Sequence, residues 1–232
     1  MAPLPGIWMT LPIRNTLAAL AALAMLSGCS SEHSDWGQVY RAARQTFSSD
    51  GPATVSLQQA AAVPYASMGV RIGGGAQVLI VQVIDSPDMR LWTAGKAIAL
   101  ETRDGRITRS SGLAFNLSGV AGTTALAGKP AGDPSVRETL LYDFADLNAY
   151  SVRVVCTAAA PVADRVTILG KTIAVRRIDE NCSAGTFDWD FTNRYWVGES
   201  GLVWKSIQHI HPKLEAIETE ILRPPASAVR NG

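Results

Sequence analysis

The chain has 232 residues, with 21 Lys and Arg against 20 Asp and Glu and a formal net charge of +1. A balance this even leaves no basic surplus for nucleic-acid phosphates and no basic block for anionic lipid, so nucleic acid is excluded as a partner. The length suits one domain with a full core, two small domains being the alternative, and aromatics are sparse at 7%.

Near the N-terminus, Arg14 precedes an unbroken apolar run from Leu17 to Leu26, followed by the small pair Ser27-Gly28 and then Cys29. Ten apolar residues make a signal-peptide core and fall well short of the roughly 20 that span a bilayer. Leu26-Ser27-Gly28-Cys29 resembles a bacterial lipobox, which is cut before its cysteine once the thiol is acylated. Residues 1–28 are therefore expected to leave as a signal peptide, with Cys29 lipidated. Cutting 28 of the 232 residues removes one charge, Arg14, and leaves a neutral mature chain. Acyl chains, not charge, then hold it to the membrane. Residues 29–34 read as a short polar tether and 35–232 as a single β-rich domain.

Ser34 and Asp35 can cap a helix whose apolar positions Trp36, Val39, Tyr40, Ala43 and Phe47 recur at helical spacing. Residues 48–52, Ser-Ser-Asp-Gly-Pro, end it. After Pro64 the pattern is that of strands. Residues 68–72 form a short one, Gly73-Gly74-Gly75 a turn, and 76–84 a nearly continuous β-branched run that implies burial on both faces. The three glycines are not part of a phosphate-binding motif, because no GxxxxGK[ST] or GxGxxG follows. Residues 89–92 and 96–103 read as further strands. Asp104-Gly105 then joins the second of these to 106–109 in a hairpin, since a type I′ turn needs positive φ at both centres.

Residues 110–135 are rich in Gly, Ser, Ala and Pro and read as a loop, with a helical turn between Leu113 and Val120. Strands return at 139–144, 151–158, 165–169, 172–178, 185–197, 202–210 and 214–222. Pro161, Gly170-Lys171, Asn181 and 199–201 mark the turns between them. Short connections make neighbours antiparallel. The expected fold is mainly β: one large curved antiparallel sheet, as a barrel, half-barrel or twisted sandwich, with an N-terminal helix.

With Cys29 assigned to lipid, Cys156 and Cys182 remain. In an oxidising compartment they form a disulfide; the alternative is two buried free thiols.

Several strings, in order, resemble the YjbF-type family of outer-membrane lipoproteins associated with group 4 capsule and exopolysaccharide production. They are Pro64-Tyr65-Ala66-Ser67-Met68, Trp92 at a strand end, Asp104-Gly105-Arg106-Ile107 with Ser111-Gly112-Leu113, Asn193-Arg194-Tyr195-Trp196-Val197, and residues 201–208. The resemblance implies a β-rich, periplasm-facing protein beside polysaccharide export or regulation, and it transfers no catalytic residue. Ser30 after the acylated cysteine implies passage to the outer membrane. The C-terminal hairpin is similar, more weakly, to lipoprotein carriers whose half-barrels hold acyl chains.

Chemistry-bearing residues are few. His209 and His211 share a strand face, but no third metal ligand is identifiable and Pro212 follows, so a solvated strand end is expected and no metal. Asp188 and Asp190 share a face with Trp189 opposite. Their i, i+2 spacing fits the separation of glycosidase carboxylates by construction and so carries little information. No GxSxG elbow occurs. Trp92, Trp189, Trp196 and Trp204 belong mainly to core, with Trp189, Asp188 and Asp190 as candidate glycan contacts. The sequence thus points to a non-enzymatic outer-membrane lipoprotein without cofactor, an accessory to exopolysaccharide or capsule production. Its partners would be the polymer or the export proteins. The alternative is a lipid or lipoprotein carrier.

Overall fold

The structure, a computed structural model, describes residues 54–86, 89–122 and 137–226. The expected signal peptide, Cys29, the tether, the helix over 36–47 and the loop residues 123–136 lie outside them.

The described chain opens with a short helix, α1 (Leu57–Ala61), followed by strands β1 (Ser67–Ile72), β2 (Val78–Asp85), β3 (Arg90–Thr93) and β4 (Ala99–Arg103). β5 (Arg106–Ser111), β6 (Gly119–Ala121), β7 (Arg137–Phe144), β8 (Ala149–Ala158) and β9 (Val162–Ile168) follow. β10 (Lys171–Ala184), β11 (Trp189–Val197), β12 (Val203–Gln208) and β13 (Ile217–Arg223) complete the set. They form one antiparallel sheet in the order β5-β4-β3-β2-β1-β13-β12-β11-β10-β8-β7-β6, with β9 paired to β10 off that path.

Its two end strands, β5 and β6, nearly meet. The Ser110 amide donates to the Leu117 carbonyl and the Leu117 amide to Ser110 Oγ, both at 2.9 Å, so the sheet almost closes into a barrel. Period-two alternation fills the lumen. Met68, Ile80, Trp92, Leu100, Tyr142 and Phe144, each from a different strand except the last two, are buried in a single cluster.

The β-branched run of β2 splits in two. Val78 and Ile80 point into the lumen, while Leu79 and Val81 are covered outside by Val55, Ala60 and Val63 around α1. Ser56 and Gln59 form a capping box that holds that covering turn. Val83 and Ile84, however, are 39% and 43% exposed, because the covering segment does not reach them. Burial on both faces thus holds only for the first half of the run.

The Asp104-Gly105 hairpin forms as expected, with φ of 47° and 84°. Three local expectations are corrected. Residues 113–118 are irregular and lead into β6 instead of forming a helical turn. Asn181 lies in the middle of β10, paired with Thr192 on β11, because an Asn on an exposed strand face needs no turn to satisfy its side chain. The strand expected from Gly185 begins only at Trp189. Residues Gly185–Phe187 are a 3-10 turn, closed by Asp188 in the left-handed region with φ of 48°. The β7–β8 connection repeats this device with Ala145–Leu147 and Asn148. Asp and Asn tolerate that conformation better than other non-glycine residues.

β8 and β9 lie end to end along one edge of β10, pairing with 180–183 and 171–177 respectively. β11 reaches β10 only from Arg176 onward, so the first residues of β10 have β9 as their sole neighbour. The β9–β10 ladder therefore projects as an arm. Its Val166, Ile168 and Val175 fold back onto Trp196, Trp204 and Leu222.

Candidate functional site

Polar groups gather at one level of the lumen. Arg106 follows the Asp104-Gly105 turn directly and is 1% exposed; Glu180 on β10 is 0% exposed. Two parallel N–H···O bonds of 2.8 Å join them, and Glu138 stands 3.7 Å from the same guanidinium. Asn193 donates to Glu180 Oε2 at 3.4 Å, and the guanidinium lies 5.6 Å from the Tyr195 ring centroid. Gln208 accepts from the Ile107 amide at 2.9 Å and donates to the Gly105 carbonyl at 2.8 Å. Burial works against the Arg106 charge, but Tyr195 and Glu180 outweigh it and hold the pKa above its ordinary value. Burial pushes the Tyr142 phenol up to about 12. These groups pair mainly with one another and bolt β5, β10 and β12 together, with Arg106 Nε left buried without an acceptor.

Cys156 and Cys182, register partners on β8 and β10, form a disulfide, so the free-thiol alternative is discarded. Glu180 lies beside them. With both sulfurs bonded to each other, the trio is not a metal site.

At the barrel mouth His211 is buried, not solvated as expected from the following proline. Its ring stacks on Phe115 at 5.2 Å and meets Phe144 edge-on at 4.9 Å. Nδ1 accepts from the Lys213 amide at 3.1 Å, which places the proton on Nε2, 3.2 Å from Asp146. Both nitrogens are engaged, so the imidazole is not a general base. His209 is half-buried against Phe191, and it lies beyond the end of β12, so the pair shares no strand face. Burial lowers both histidine pKa values; for His211 the neighbouring Asp146 pulls the other way.

The three candidate glycan contacts are separated. Trp189 turns into the mouth, stacked on Phe191 at 4.1 Å and edge-on to Tyr142 and Phe144. Asp188 sits in the tight turn and not on the strand. Asp190 is the one on an outer strand face, in a shallow depression of about 610 Å³ with Arg137, Asn181 and Thr192. Trp92 is core, its Nε1 donating to Thr102 at 3.0 Å.

The sequence reading missed a cleft under the β9–β10 arm. Two depressions of about 450 and 270 Å³ run together there, sharing Thr167, Lys205 and Glu220. Lys205 is held at 2.9 Å by Glu220 and at 3.3 Å by Glu218, and Gln77 donates to the other Glu220 oxygen at 2.9 Å. Trp196 Nε1 donates to Asp164 Oδ2 at 2.8 Å, which lowers the Asp164 pKa. The Lys205 ammonium lies 5.8 Å from the Trp196 ring centroid. Alternation on β13 puts Glu218 and Glu220 on one outer face, a signal legible in sequence. That the arm would fold over them was not.

A family model described as group 4 capsule polysaccharide lipoprotein gfcB, YjbF matches residues 40–222. The chain belongs to the YjbF family. The uncharacterized lipoprotein YjbF of Escherichia coli (strain K12) is 23% identical over 171 residues, 69% of this chain and 76% of its own length. The crystal structure of the hypothetical lipoprotein YmcC from Escherichia coli (K12) superposes with a TM-score of 0.63. It is 21% identical and covers 84% of this chain and 98% of its own. That likeness shows a shared fold. The strings that carried the resemblance in sequence contain Arg106, Asn193, Tyr195 and Gln208, four of the residues that bolt the lumen, but not Glu180. They thus mark part of the polar tie inside this YjbF-family barrel, while the cleft under the arm draws on other positions as well.

Proposed function

We propose that this protein is a lipoprotein anchored through Cys29 to the periplasmic face of the outer membrane, where it serves capsule or exopolysaccharide production as a non-catalytic accessory. Its partners are the polymer or the proteins that export it. The observation that carries this reading is the packed lumen. Trp92, Leu140, Tyr142 and Phe144 fill it, and the Arg106–Glu180 pair crosses it. The working surfaces are then on the outside. A carrier of acyl chains in a half-barrel needs an apolar interior cavity, and lumen-filling side chains argue against that alternative. Asp190, on its open outer face, stays a candidate for glycan contact.

The test is deletion of the gene and measurement of surface and released polysaccharide. Loss of polymer, restored by the wild-type chain and by Asp188→Asn, Asp190→Asn and His211→Gln variants that fold, supports a non-catalytic accessory. Unchanged polymer after deletion would overturn the role. Failure of a folded Asp188→Asn or His211→Gln variant to restore it would point to catalysis instead, whereas failure of Asp190→Asn alone would mark loss of a glycan contact.

A further inference from the structure

We propose that the cleft under the β9–β10 arm binds an acidic oligosaccharide, one whose sugar rings carry carboxylates. This deepens the accessory role above and rests on it.

The charges in the cleft are not equally available. Every acid there is already engaged: Glu218 and Glu220 hold Lys205, Glu220 also accepts from Gln77, and Asp164 accepts from Trp196 Nε1 and the Arg165 amide. Two cations are not. Arg71 lines the larger depression with its Nε buried and without an acceptor, although Glu218 is its register partner across β1 and β13. Among the described residues no carboxylate pairs with it. Arg165 is exposed at the edge of the smaller depression and likewise has no ion pair there. The cleft's three cations and three carboxylates balance in charge, but an arginine left without an acceptor can still take one from a ligand, and a planar guanidinium suits a carboxylate by presenting two parallel N–H groups.

The rest of the lining suits a sugar. Trp196 supplies an apolar wall, and the Lys205 ammonium held over its ring leaves a mixed aromatic and charged floor. Thr167, shared by both depressions, offers a hydroxyl that can donate or accept, as sugar hydroxyls require. The larger depression falls in the range of small-ligand sites and the smaller just below it, and the two run together, which fits a chain of rings better than one compact molecule.

The experiment uses the full lipidated chain in detergent micelles and reads quenching of tryptophan fluorescence. The probes are hyaluronan hexasaccharide, which alternates glucuronate with N-acetylglucosamine, and the same hexasaccharide with its carboxylates reduced to alcohols. We expect saturable quenching by the first and at least a tenfold weaker Kd for the second. Arg71→Ala should weaken binding of the acidic probe about tenfold, Arg165→Ala several-fold, and Arg153→Ala, exposed on β8 and outside both depressions, should leave it unchanged. Thermal melts establish that each variant is folded. No saturable binding, equal affinity for the two probes, or affinity untouched by both arginine variants would overturn the cleft. Should the cleft fail while the wild-type chain still restores polymer to the deletion strain, the accessory role stands without it. Failure to restore polymer would end the role itself.

Discussion

Arg106 and Glu180, 74 positions apart in the chain, close a bidentate ion pair across the barrel with both N···O distances at 2.8 Å. Removing one partner leaves a desolvated charge, which costs about 3 to 5 kcal/mol, whereas replacing both with apolar groups of similar volume is far milder. We expect Glu180→Met to lower the urea midpoint sharply and Arg106→Met/Glu180→Met to recover most of the loss. A double variant as unstable as the single one would contradict a paired-charge bolt.

The turn before that pair is equally constrained. Gly105 has φ of 84°, and a Cβ there would run into the Val203 side chain. Gly105→Ala should therefore destabilise by about 1 to 3 kcal/mol through combined backbone strain and overpacking. Val203→Ala in the same background should return the steric part and not the backbone part. Equilibrium unfolding of Gly105→Ala, Val203→Ala and the double variant separates the two contributions.

The disulfide closes a loop of 26 positions between β8 and β10. In the chain-entropy model such a crosslink is worth about 3 to 4 kcal/mol. Reduction, or Cys156→Ser/Cys182→Ser, should lower stability by that order while the signal of the folded sheet persists in circular dichroism. Stability identical with and without reductant would show that the crosslink contributes nothing.

Burial holds the pKa values of His209 and His211 below the ordinary 6.5. As pH falls through about 6.5, the unfolded chain binds protons that the folded chain still excludes. Their contribution is thus fully present above the unfolded value and is lost below it. The melting temperature should drop between about pH 7 and about pH 5.5, and a His209→Gln/His211→Gln variant should show a flatter profile. A wild-type profile as flat as the variant's would contradict the buried, neutral imidazoles.

Much of the fold was legible because alternation and turn chemistry are local. Asp104-Gly105 marked its hairpin, short connections gave the antiparallel pairing of many consecutive strands though not that of β1 with β13, and Cys156 with Cys182 marked the crosslink. Misreadings arose where a residue's type fits two settings. Asn181 suits a turn but also an exposed strand face, and Asp188 suits a strand face but also a left-handed turn position. Proline after His211 suggested a solvated end, yet Phe115 and Phe144 cover the ring from elements distant in sequence. Two lumen residues could have been found by alternation. Glu180 lies two positions from Cys182 and so shares its inward face, and an inward acid on a barrel strand demands a cation such as Arg106. The cleft was not legible, since it depends on the β9–β10 arm folding back over β13, a tertiary event with no local signature.

Fractionation of cells whose sole copy carries Cys29→Ala, with surface polysaccharide measured alongside, tests the lipid-anchored accessory most directly. We expect the wild-type chain in the outer-membrane fraction with polymer at full level, and the variant displaced from that fraction with polymer reduced. A variant that stays in the outer membrane, or that leaves it while polymer remains at the wild-type level, would contradict anchorage through Cys29 as the basis of function.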